Sequence, residues 1–258
     1  MIEVIDVRKE FTLSAKQQKE NNTKSKIAVA VDGISFTCTP GRVFSLLGPN
    51  GAGKTTTLRM LAGILIPSSG EIRINGVDVV KHPNEARKHL GFLTGSTGLY
   101  ERLTPNEIIR YFADLYGVEK DQFEQRKENL FNLLDIQDFQ NKRIGRLSTG
   151  MKQKVSICRT MIHDPEVVIF DEPTSGLDVI TAENIIKLID DCKKQGKTVI
   201  FSSHIMSEVD LLCDDLAIIH KGNIVFQGTK KDFRSNMQAE NLTSEFIRII
   251  NSEKKLEQ

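Results

Sequence analysis

The run Gly48-Pro49-Asn50-Gly51-Ala52-Gly53-Lys54-Thr55 fits the pattern Gly-x-x-x-x-Gly-Lys-[Ser/Thr] in full. Glycines so placed let successive backbone N–H groups turn inward around phosphate oxygens. A helix opening at Lys54 adds the partial positive charge of its N-terminus. In such a loop the lysine reaches the β- and γ-phosphates of a nucleoside triphosphate, and the following hydroxyl supplies an oxygen to Mg2+. Gly48 to Thr55, together with Thr56 behind them, are therefore the candidate phosphate-binding residues. Further along, Val167-Val168-Ile169-Phe170-Asp171-Glu172 is a hydrophobic strand ending in two acids. Alone it would be an ordinary strand end. Beside a phosphate loop, Asp171 can order the Mg2+ shell, and Glu172 can face the γ-phosphate as base for an attacking water. Leu147-Ser148-Thr149-Gly150 opens a helix, and its N–H groups with the Ser148 hydroxyl form a second anion-binding helix start. Two phosphate sites in one chain suggest that two copies share nucleotide.

The elements that must hold these residues alternate. Ile2 to Phe11 reads as strand, and the polar tract from Ser14 to Lys26 as an exposed loop or hairpin tip. Ile27–Val31 and Ile34–Cys38 are short apolar segments split by Asp32-Gly33, a hairpin signal. Val43–Leu47 suits a strand buried on both faces, followed by a helix from Lys54 to about Ile64. Glu71–Ile74 with Asn75-Gly76, and Leu90–Thr94, read as further strands. Residues from about 100 to 163 become mostly helical, opening at Thr104-Pro105-Asn106-Glu107 with cap, proline and capping glutamate in order. Strands return at Val167–Phe170, Thr198–Ser202, Leu216–Ile219 and Ile224–Phe226. Helices lie between them at Thr181–Gln195 and Met206–Cys213, and a charged helical tail runs from Thr229 to Gln258. The pattern implies an α/β sheet domain carrying an inserted helical lobe.

Composition narrows the partners. The 258 residues carry 35 Lys+Arg against 34 Asp+Glu, a formal charge of +1, which argues against nucleic acid. No apolar run approaches the ~18 residues of a membrane span. The first residues lack a signal-peptide pattern. Cys38, Cys158, Cys192 and Cys213 are far apart, so zinc clusters and disulfide scaffolds are not expected, and a reducing cytoplasm is the natural setting.

With the phosphate loop, the Leu-Ser-x-Gly segment and the acid-ended strand in this order, residues 1–228 resemble the ATP-binding subunit of ABC transporters. The resemblance implies a P-loop NTPase (RecA-like) ABC ATPase core with an antiparallel β subdomain and an α-helical subdomain inserted at about 96–163, then a tail at 229–258. It implies ATP and Mg2+ as cofactors, Glu172, His204 and Lys54 as catalytic residues, and Thr55 and Asp171 on the metal. Phe11 stands where the family stacks an aromatic on adenine, and Ser175-Gly176-Leu177-Asp178 looks like its D-loop. It further implies a second copy (or a paralogous subunit) closing head to tail, with Ser148 and Gly150 of one chain facing Lys54 and Glu172 of the other. Integral membrane permease subunits would carry the substrate path, placing this chain peripherally on the cytoplasmic face of the membrane.

Two departures stand out. Met151-Lys152-Gln153 follows the Leu-Ser-x-Gly segment where glutamine is usual, and Gly95 occupies the place of a metal- and water-contacting glutamine, with Ser96 able to fill that role instead. The phrases Thr97–Thr104 and Ser148–Gln153 look like those of sodium-extruding ABC exporter ATPases. The expectation is an ATP-hydrolysing exporter subunit, with Na+ efflux as its narrower form. Leu99, Tyr100 and Leu103 are expected to mark the surface that meets the membrane subunit. The alternatives are a soluble ABC-type ATPase acting on a ribosome or another macromolecule, which usually shows tandem cassettes or a coiled-coil insertion, and a small-molecule kinase, which has no use for a second phosphate helix.

Overall fold

The short apolar runs Val43–Leu47, Val167–Asp171 and Thr198–Ser203 are buried at every position, as strands in the middle of a sheet covered on both faces must be. A computed structural model describes residues 1–20, 22–94, 98–175 and 177–256. In chain order the first part comprises β1 (Ile2–Thr12), α1 (Ala15–Glu20), β2 (Ile27–Cys38), β3 (Val43–Leu47), α2 (Lys54–Leu61), β4 (Ser69–Ile74), β5 (Val77–Asp78), α3 (Pro83–Lys88) and β6 (Leu90–Thr94). The helices α4 (Pro105–Leu115), α5 (Lys120–Leu134) and α6 (Thr149–Met161) follow. The chain then runs through β7 (Val167–Asp171), α7 (Val179–Lys194), β8 (Thr198–Ser203), α8 (Met206–Leu212), β9 (Asp215–His220), β10 (Asn223–Thr229), α9 (Lys230–Ser235) and α10 (Leu242–Leu256).

Two sheets result. One is antiparallel, in the order β2-β1-β4-β5; the other runs β10-β9-β3-β8-β7-β6, parallel except for the β9–β10 hairpin. Alternation along each central strand sends side chains to two cores. Phe44, Leu46, Ile169, Ile200 and Ile219 face the antiparallel sheet, with Leu58 and Leu61 of α2 between. Val43, Leu47, Phe170, Phe201 and Ile218 face α7, α8 and the helical lobe. Thr104 caps α4 in a complete capping box with Glu107. The C-terminal helices are not loose: Phe233 and Ile250 are buried, and Phe246 and Ile249 pack on the same core.

One expectation needs correction. Asp32-Gly33 makes no hairpin, because β2 runs unbroken from Ile27 to Cys38. A two-residue type I′ turn needs positive φ at both positions, and of the two only Gly33 has it, at 64°. The extra residue is absorbed as a bulge: Val7 pairs with Ile34 but Lys9 with Val31. Asn75 and Gly76, at φ 50° and 82°, do meet the requirement and join β4 to β5. The Ser14–Lys26 tract is a hairpin tip as expected, but it winds α1, a helix with no buried residue. The short α3 has no counterpart in the sequence reading.

Candidate nucleotide site

Between β3 and α2 the backbone turns so tightly that neighbouring carbonyls dictate glycine. A Cβ at Gly48 would lie 2.4 Å from the Ile219 carbonyl oxygen, and one at Gly53 would lie 2.6 Å from that of Ala30. Gly53 also has φ 113°, a region closed to L-residues. Gly51, at φ 77°, faces open space. Ala52 is buried, Pro49 and Thr56 are half-buried, and Asn50 is exposed. Lys54 is only 5% exposed. Its Nζ donates to the carbonyl oxygens of Gly48 at 2.7 Å and Pro49 at 3.2 Å, so the ammonium is folded back across its own loop. Such a cradle of inward N–H groups and one cation fits a polyphosphate.

Thr55 points to the end of β7. Its Oγ1 donates to Asp171 Oδ1 at 3.1 Å, and Ser202 Oγ donates to the same oxygen at 2.8 Å. The parallel register of β7 with β8 puts Ser202 directly opposite Asp171. Ser202 Oγ also accepts the Glu172 N–H at 2.9 Å. That bond matters because Glu172 sits at φ 50°, a left-handed conformation costing about 1–3 kcal/mol that persists only where its surroundings enforce it. The turn aims the carboxylate back at the loop: Glu172 Oε1 is 3.6 Å from Lys54 Nζ and 3.4 Å from His204 Nδ1. A hydroxyl and a carboxylate side by side are the hard oxygen donors that Mg2+ takes. Among the described residues no cluster of three His, Cys, Asp or Glu could hold a metal by itself, so an ion here would rely on phosphate oxygens and water.

A cleft of about 520 Å³ joins these residues to the lobe, lined by Asn50, Gly51, Thr55, Asp171 and Glu172 on one side and Thr149 and Gln153 on the other. Of the sequence candidates, the structure thus brings together the phosphate loop, Asp171, Glu172 and His204. It does not bring Ser148, Gly150 or Phe11 into that cleft. Ser148 is the exposed cap of α6, its hydroxyl accepting the Met151 N–H at 3.3 Å. Gly150 faces Asp178, the cap of α7. Hydrogen bonds from Thr181 hold the Asp178 carboxyl below the ordinary carboxylate range. Phe11 stands on β1 opposite Ala28, half-exposed beneath Lys9, two residues along β2 from the carbonyl that abuts Gly53. Gly95, Ser96 and Gly176 lie outside the described residues. Two residues were missed by sequence reasoning, Ser202 and Glu208. Their only sequence signal is a polar residue in an apolar strand end and an acid one helical turn after His204.

All four cysteines are buried and unpaired. Burial pushes the thiols of Cys192 and Cys213 up to about 12, where they are inert as nucleophiles. No helix among the described residues is long and apolar enough to cross a membrane.

Comparison with known proteins agrees with this geometry. The profile of the ABC transporter family matches residues 31–175. The ABC transporter ATP-binding protein NatA of Bacillus subtilis is 43% identical over 87% of this chain and 92% of its own length. The linearmycin resistance ATP-binding protein LnrL of the same organism is 34% identical over 86% of this chain and 71% of its own. A solved ATP-binding subunit of an ABC transporter superposes with a TM-score of 0.86 at 27% identity, covering 96% of this chain and 99% of that one. A dimeric ATP-binding cassette bound to ADP and Pi shares the fold, with a TM-score of 0.77 at 22% identity over 89% of this chain and 98% of that one. The chain belongs to the ABC transporter family, as one of its ATP-binding cassettes.

Proposed function

We propose that this cassette hydrolyses ATP with Glu172 as general base and drives an exporter whose substrate path lies in separate membrane subunits. The observation that carries the reading is the position of Glu172 Oε1, between Lys54 at 3.6 Å and His204 at 3.4 Å at the mouth of a phosphate loop. Lys54 exchanges its loop carbonyls for phosphate oxygens. Thr55 and Asp171 would hold Mg2+, which when bound neutralises phosphate charge. Glu172 takes the proton of the attacking water, and His204 donates to the γ-phosphate while steadying Glu172. A carboxylate suits the base because Lys54 and His204 can stabilise its charge without blocking its second oxygen.

Ser148 and Gly150 are exposed or half-exposed and do not line their own cleft, which supports a role toward the nucleotide of a second copy closing head to tail. Phe11 would then flank the adenine. Residues 229–258 are a tail appended to the 1–228 cassette, with the lobe at about 96–163. The chain acts at the cytoplasmic face of the membrane, and the phrases Thr97–Thr104 and Ser148–Gln153 favour sodium as cargo. The test is purification of the chain from membranes, followed by 22Na+ flux in vesicles holding the complex. The reading expects a multispan protein to copurify and ATP-dependent flux to vanish in Glu172→Gln. Purification without a membrane protein would sink the transport assignment, and an active complex that moves no sodium would sink the cargo.

A further inference from the structure

Glu208, in the first turn of α8, is 8% exposed, and a carboxylate is rarely that buried without a partner. Among the described residues no Lys, Arg or His forms an ion pair with it. Its partners are two hydroxyls, one from the loop after β7 and one from the end of β8. Thr174 Oγ1 donates to Oε1 at 2.5 Å, and Ser203 Oγ donates to Oε2 at 2.8 Å. Ser203 Oγ in turn accepts the Ile205 N–H at 3.0 Å, so it spans the backbone on both sides of His204. Thr174 lies two residues beyond Glu172, and both hydroxyl residues are buried. The two carboxylate oxygens therefore join the turn that carries Glu172 to the turn that carries His204. This is not helix capping, since the carboxylate takes no N–H of α8.

Glu172 holds its left-handed conformation through the Ser202 bond on its N-terminal side. On its C-terminal side the turn is fixed by the Thr174–Glu208 bond and by Gln153 of α6, whose Nε2 donates to the Pro173 carbonyl oxygen at 3.3 Å. His204 is half-exposed, and the brace on its own backbone is Ser203. Without Glu208, the 3.4 Å approach of His204 to Glu172 and the bond from the Glu172 N–H to Ser202 would be the side-chain contacts left between residues 172–174 and 202–205. A displacement of about 1 Å at a reacting group can cost roughly 100-fold in rate. We propose that Glu208 is a positioning residue that fixes Glu172 and His204 relative to one another. This rests on the reading of Glu172 as general base.

The test uses the purified full chain. Glu208→Ala removes both bonds, whereas Glu208→Gln keeps them, because one amide oxygen accepts and the amide NH2 donates to a rotated hydroxyl. Glu208→Ala should lower kcat by about 10- to 100-fold while leaving ATP affinity within about twofold, and Glu208→Gln should stay within about threefold of the parent. In the Glu172→Gln background, Glu208→Ala should add no further loss, because two residues acting as a unit are not additive. Should Glu208→Ala fail to fold, Thr174→Val and Ser203→Ala each remove one bond and should each lower kcat in part. Parental kcat in Glu208→Ala, or losses of affinity and Tm that track kcat with no rescue by glutamine, would overturn the proposal. A parent chain without turnover would count against the hydrolytic reading alone. Crystal structures of parent and Glu208→Ala then decide: separation of His204 from Glu172 supports the brace, and an unchanged distance overturns it.

Discussion

In the proposed hydrolytic site, Asp171 is the residue on which the metal side turns. One of its oxygens already receives two hydroxyls, from Thr55 and Ser202, so the carboxylate is oriented before any ligand arrives. It is also 6% exposed, which leaves it dependent on those bonds and on a cation. Thr55 is the replaceable member, because Ser202 keeps Asp171 and the Glu172 N–H in place without it. Thr55→Ala should therefore leave the fold intact and raise the Mg2+ concentration for half-maximal ATPase by about tenfold, the loss of one oxygen ligand of a weakly held ion. Titration of Mg2+ at fixed ATP reads this directly. An unchanged half-point would remove Thr55 from the metal. Chelation of Mg2+ should abolish turnover in both proteins.

At the scale of elements, legibility followed locality. Leu90–Thr94 was readable as a short apolar run, and the start of α4 at Pro105 because cap, proline and capping glutamate sit within a few residues of one another. The phosphate loop was readable because its glycines answer to contacts that every such loop must make. Ser202 and Glu208 were not, since their value depends on strand register and on a neighbouring turn, neither of which a local pattern encodes. Asp32-Gly33 misled because its dipeptide suits both a turn and a bulge, and only pairing with β1 decides between them. His163 adds an element-level consequence. It follows α6, stacks on Tyr116 with ring centroids 3.8 Å apart, and its Nε2 lies 3.1 Å from the Leu90 carbonyl oxygen of β6. Burial pushes it down from 6.5 to about 4, although Asp164 nearby opposes the shift that Arg126 and Lys197 reinforce. The unfolded chain thus binds this proton near pH 6.5 and the folded chain only near 4. Its contribution is whole above pH 6.5 and is lost as pH falls toward 4, at most about 3 kcal/mol. His163→Gln, which can still donate to Leu90, should flatten the fall of Tm across that window. A profile as steep as the parent's would show that another group controls acid sensitivity.

Across the whole molecule, one core runs from the parallel sheet into the helical lobe, so force on the lobe is felt at the site. The outer surface of the lobe offers a place to apply it. Tyr100 is 58% exposed and meets Tyr111 edge-on at 6.2 Å, with Leu115 exposed beside them on α4. Tyr111 also meets Phe112 edge-on, and Phe112 lines a cleft of about 300 Å³ with Phe92, Tyr116 and Arg159. Exposed aromatics beside an apolar groove residue suit a short helix from a membrane subunit. Tyr100→Ala should leave the ATPase of the isolated chain unchanged and reduce recovery of the membrane subunit in copurification. Undiminished recovery would move the coupling surface elsewhere. All of this presumes that the turn at Glu172 makes the chain an engine rather than a nucleotide-binding scaffold. The most direct measurement is phosphate release from ATP by the purified chain beside its Glu172→Gln variant, with ATP binding and dimerisation followed in the same samples. The account predicts retained ATP binding, an ATP-dependent dimer in the variant, and turnover lowered by about 10²- to 10⁴-fold. Phosphate release from Glu172→Gln at close to the parental rate would contradict it.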